Sequence, residues 1–285
     1  MRETSNPVFR SLPKQPGGYA QFGTGYGAGT TGVTQQASQG YPYVDQDQRA
    51  AVSRPMTIDD VVTKTGMTLG VLSVVAVVSF FLVAGNENLA APFTFIGAFG
   101  GLALVLVATF GRKQDNPAIV LSYAALEGMF LGAISYVLTA LSVGISNAGA
   151  MIGQAVLGTL GVFFGMLVVY KTGAIRVTPK FTRMVVAALF GVLALMIGDL
   201  VFSKLHIGGD AGMHLRDGST LAIIFSLVCI GIAAFSFLID FDAADQMVRA
   251  GVPEKAAWGV ALGLTVTLVW LYLEILRLLS YFQSD

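Results

Sequence analysis

From Thr65 onward the chain alternates long apolar runs with short polar breaks. Seven runs, at 65–84, 92–111, 117–142, 150–170, 182–203, 219–242 and 256–282, are long enough to cross a hydrocarbon core, which takes about 20 helical residues. The breaks "GNENLAAP", "GRKQDNP", "SVGISNAG", "KTGAIRVTPK" and "RAGVPEK" carry the Gly, Asn, Pro and charged residues that end helices. Only "KLHIGGDAGMHLRDGS" is longer. The pattern predicts an all-α polytopic membrane protein, a seven-transmembrane-helix bundle over residues 57–285.

Residues 1–56 have a different texture. "PGGYAQFGTGYGAGTTGVTQQASQGYPYV" has no apolar period that could bury a core, and its Gly, Gln and Tyr content predicts a disordered tail. At "MTIDDVVTKTG" Thr57 and Asp60 have the spacing of a capping box. A short helix is expected to start there and lead into the membrane. No charged, apolar and small-residue succession of a cleaved signal opens the chain, so the first span is expected to persist.

Composition agrees. Hydrophobic residues make up 54% and charged residues only 12%, where a soluble domain would carry about 25% charged. The net charge of zero offers no basic excess for nucleic acid. The single Cys229 lies in an apolar run and can form no intrachain disulfide. Fourteen of the 17 Lys and Arg fall on the side of the amino terminus if the seven runs alternate, which predicts a cytoplasmic amino terminus and an external carboxyl terminus. Glycines spaced by four, Gly97 and Gly101, Gly128 and Gly132, Gly161 and Gly165, and Gly259 and Gly263, predict close helix packing.

The chemistry sits in a few carboxylates. An acid at mid-membrane costs about 2.5 to 3.5 kcal/mol on insertion scales, so Glu127, Asp199, Asp240, Asp242 and Glu274 need a reason to be there. Glu274 and Arg277 are three apart and can pair on one helix face. Alternatively, carboxylates from different helices converge, share a proton and offer oxygen ligands to a hard cation such as calcium. Glu127, Asp199 and Asp240 are the candidates for an ion path, and Asp245 for the interface.

Two enzymatic patterns are incomplete. "MIGD" with Asp199 and "FD" with Asp242 have the elements of an intramembrane aspartyl protease in reversed order, without the first Gly. His206, Asp210 and His214 have ligand-like spacing, but Gly208 and Gly209 between them argue for a solvated loop rather than a zinc site. No enzymatic activity and no bound cofactor are expected.

"FSFLIDFD", "VWLYLEILRLL" and "ATFGRKQDNPAIVLSYAALEGMFLGAIS" together resemble the Bax inhibitor-1 family, in its bacterial branch, over residues 65–282. The resemblance implies a calcium leak of the plasma membrane in which two acids of the sixth and seventh helices share a proton and a second-helix arginine steadies them. Carried over by motif, these are Asp242, Glu274 and Arg112, with Asp242 and Glu274 as transient calcium ligands. This chain has Glu at the seventh-helix acid, where relatives have Asp, and an additional Asp240. The resemblance also allows a non-transporting role, modulating a membrane-anchored protease or stress and cell-death responses. Counting from the turn at Gly251 to Pro253 puts Asp242 and Glu274 about 18 Å apart along the bundle axis.

Overall fold

A computed structural model describes residues 54–142, 144, 147–205, 215 and 217–283. The Gly-rich tail up to residue 53, and the loop residues His206, Asp210 and His214, lie outside them. Seven α-helices follow in order: α1 Ile58–Gly85, α2 Ala90–Phe110, α3 Pro117–Ser142, α4 Ala148–Thr172, α5 Pro179–Leu205, α6 Thr220–Arg249 and α7 Ala257–Gln283. All seven are long and apolar enough to cross a membrane. Below, the near side is the one where α1 begins, and the far side is where it ends.

Two helices run seven residues past one end of their apolar runs. The capping box forms as spaced, with Thr57 Oγ1 accepting from the Asp60 amide and Asp60 from the Thr57 amide. The helix it starts is not a separate short one, because nothing between Asp60 and Thr65 breaks it. It runs on as α1 itself. Likewise α6 continues past residue 242 to Arg249, ending one residue short of the turn at Gly251, whose φ of +64° suits glycine.

α7 is the central helix. It packs against α1, α3, α4 and α6, while α2 leans on α3 and α5 on α6. Around its near half, Phe163 of α4 meets Phe237 and Phe241 of α6 edge to face, at centroid distances of 5.3 and 5.4 Å. These rings belong to a buried apolar cluster that joins α6 and α7, from Phe237 and Phe241 to Leu264, Leu268 and Leu271.

Small residues set the tightest approach. A Cβ added at Gly97 would lie 2.7 Å from Leu126 O, and one at Gly128 2.9 Å from the Val75 Cβ, so α2 and α1 lie directly on the α3 backbone. Ser79 Oγ donates to Met129 O at 2.7 Å across the same α1–α3 contact. The other two glycine pairs behave differently: Gly161, Gly165 and Gly263 have open space where a Cβ would go, and Gly259 meets only Gln114. Spacing by four marks a small-residue stripe, but only a facing helix makes it a contact.

Residues 54–57 strap the near end. Met56 N donates to Val252 O at 2.8 Å, and Glu254 N to Arg54 O at 3.0 Å. Arg54 reaches Asp60 at 2.6 Å and Glu254 at 3.2 Å, and Lys64 Nζ completes the cluster on Glu254. The Asp60 carboxylate bonded to it holds the Arg54 guanidinium above its ordinary pKa.

Candidate functional site: the carboxylates around α7

The α6–α7 seam holds the first carboxylate. Thr267 Oγ1 donates to Asp240 Oδ2 at 2.7 Å, which fixes the two helices in register at this level. Asp242, two residues on, points elsewhere and accepts from Gln246 Nε2 at 2.6 Å. A residue two places along a helix is turned by about 200°, so only one of the two aspartates can face α7.

Glu274 is the second. It lies seven residues beyond Thr267, on the same α7 face through buried Leu271, and is itself 1% exposed. Arg277 Nη1 donates to its Oε1 at 2.9 Å. Its other oxygen, Oε2, is buried with no hydrogen-bond partner. Buried polar atoms are nearly always paired, so this oxygen is open to a proton or a cation. Two residues back along α7, the Tyr272 and Ser135 hydroxyls bond at 2.8 Å and link α7 to α3.

The third lies at the contact of α3 with α2. Glu127 of α3 has Tyr123 beside its carboxylate and fills a notch in α2, where a Cβ on Gly101 would come within 2.8 Å of Oε1. Taking Ser135 and Tyr272 as level, Glu127 is about 15 Å from Glu274 along the axis.

These positions revise the expected grouping. With Asp240 and Thr267 level, Asp242 and Glu274 are offset by nine residues, about 14 Å along the axis. That is shorter than the count from the turn, because the turn is not symmetric, but no side chain bridges it. Arg112 stands at the near end, in the turn after α2, with a φ of +51°, and among the described residues no carboxylate pairs with it. The cation beside Glu274 is Arg277 of its own helix. Asp199 lies in the last two turns of α5, toward the far side.

The protease-like pair separates as well. Phe181 of α5 meets Phe235 of α6, and from that level Asp199 and Asp242 diverge by about 37 Å. Among the described residues no three His, Cys, Asp or Glu side chains gather as metal ligands.

Sequence reasoning passed over Thr267 and Ser135, and had Tyr272 only as part of the seventh-helix motif, without its partner. Thr267 was detectable, since it lies seven residues before Glu274 and therefore on its face. Ser135 was not, because its partner is on a helix remote in sequence.

Compared with known proteins, residues 6–284 match a family model described as Bax inhibitor 1 like. No curated protein matches the chain.

Proposed function

The chain belongs to the Bax inhibitor 1-like family, and from that premise we propose that it is a pH-sensitive cation leak, with calcium as the permeant ion. The observation that carries this reading is Glu274: a fully buried carboxylate with one oxygen unpartnered. Arg277 covers one oxygen of this group, and the other is open to a proton or a cation. Asp240 lies about 10 Å from it along the same seam. It replaces Asp242 as the sixth-helix partner in our reading, and Arg277 replaces Arg112. Protonation of Glu274 and Asp240 sets whether the seam holds negative charge that draws a cation in. The Lys and Arg on the near side make that side cytoplasmic.

The test is calcium flux into liposomes holding the purified chain, compared between about pH 6 and pH 8. We expect pH-dependent flux that Glu274→Gln and Asp240→Asn each flatten, and that Asp242→Asn leaves as it is. Flux equal to that of empty vesicles at every pH defeats the reading.

One observation favours a second reading, a membrane regulator that transports nothing. Glu127, Asp242 and Glu274 face Tyr123, Gln246 and Arg277 respectively, not a shared path. Absence of flux from a folded, monodisperse preparation is the outcome this reading requires.

A further inference from the structure

A cavity of about 500 Å³ opens in the side of the bundle, toward the far side. Its walls are α1, at Val77 and Phe81, and α4, at Val156 and Leu160. Its floor is α7, at Leu268 and Val269. It exists because α1 packs on α3 and α7, and α4 on α6 and α7, without extensive packing of α1 on α4. The wall residues are 38 to 69% exposed, so the opening faces sideways.

We infer that this cavity is a binding site for one acyl chain of a membrane lipid, which enters between α1 and α4 and ends against Tyr272. The cavity's depth decides what surrounds it. Residues 69–81 of α1 and 149–160 of α4 lie within the spans, where the medium is hydrocarbon. Its polarity decides what fills it. Thr159 Oγ1 is bonded to Ala155 O at 2.8 Å, and Ser135 and Tyr272 are bonded to each other. Ser73, at the exposed rim, is a lone hydroxyl. A buried water needs two to four polar partners, and these walls do not supply them. The volume falls within the roughly 300 to 1,000 Å³ of sites that enclose a small molecule. A chain seated here braces α7 at Leu268 to Tyr272, two residues before Glu274. The site does not depend on whether the protein conducts ions.

Gly149 gives the test. It lines the cavity, and a Cβ added there meets nothing within 4 Å, so Gly149→Phe fills the space without forcing helices apart. The full chain, reconstituted in nanodiscs of palmitoyl-oleoyl phosphatidylethanolamine and phosphatidylglycerol and released into mild detergent, is examined by native mass spectrometry. We expect one retained lipid on the wild type and on Val168→Phe, an exposed α4 position outside the cavity. Retention falls about tenfold, equivalent to a tenfold loss of affinity, on Gly149→Phe. Val156→Trp, folded by circular dichroism and gel filtration, fills the same space from the wall and is expected to act alike. Equal retention on wild type and either folded filling variant overturns the proposal, and so does equal loss on Val168→Phe.

Discussion

Thr267 donates to Asp240 across the α6–α7 seam at 2.7 Å, while Asp242, two residues later, accepts from Gln246 of its own helix. The two aspartates therefore differ in what their partners do. Thr267→Val keeps the shape but strips the donor, leaving a largely enclosed carboxyl group unpaired. The cost of such an orphaned group is about 1 to 3 kcal/mol. Thermal unfolding in detergent should register that loss for Thr267→Val and little change for Gln246→Ala. Equal effects from the two would mean that the seam bond contributes nothing of its own.

The α1–α3 contact gives a sharper steric test. A Cβ on Gly132 would run into the Ala76 carbonyl and lie 2.6 Å from the Ser79 Cβ. Backbone cannot yield as a side-chain tip does, so Gly132→Ala forces the helices apart, at about 1 to 3 kcal/mol as for overpacked cores. Gly165→Ala meets nothing and should be neutral, or stabilising by about 0.5 to 1 kcal/mol through helix propensity. Paired melting curves of the two variants check both statements.

These glycines show what was legible in the sequence. Seven runs of apolar residues determine seven helices, because each must satisfy its backbone internally in lipid, and the capping box marked where a helix starts, though not that this helix is α1 itself. All four glycine pairs looked alike, yet only Gly97 with Gly101 and Gly128 with Gly132 meet a facing helix. Which face meets which neighbour depends on tilt and rotation, and these are set by packing over the whole bundle. The same limit applied to the acids. Motif matching selected Asp242, but the rotation of α6 brings Asp240 to α7, and residues from remote helices such as Ser135 entered only through the fold.

Glu274 and Arg277 form a buried pair at 2.9 Å, with Glu274 1% and Arg277 18% exposed in their side chains. Removing one partner of such a pair is expensive, about 3 to 5 kcal/mol, because the other charge is left without compensation. Arg277→Met should destabilise the protein on that scale. Adding Glu274→Gln to Arg277→Met should recover a large part of the loss, since no charge is then stranded. A double-mutant cycle on unfolding temperatures measures the coupling. Additive effects would show that the two side chains do not act as a pair.

The strap at the near end makes a prediction about pH. The bond to Asp60 raises Arg54 above its ordinary value, so the folded state holds this proton more tightly than the unfolded one. Stability from such a group is complete below its ordinary pKa and declines only as pH rises through the folded value, in strong alkali. Between about pH 6 and 8, far below the Arg range, Arg54→Ala should therefore lower the unfolding temperature by the same amount at every pH. Salt should shrink the difference, because Arg54 is 56% exposed in its ion pairs with Asp60 and Glu254 and surface charges are screened. Unfolding curves at pH 6, 7 and 8, each at low and high salt, separate these effects. A loss that grows across that pH window would place its origin in some group other than the Arg54 guanidinium.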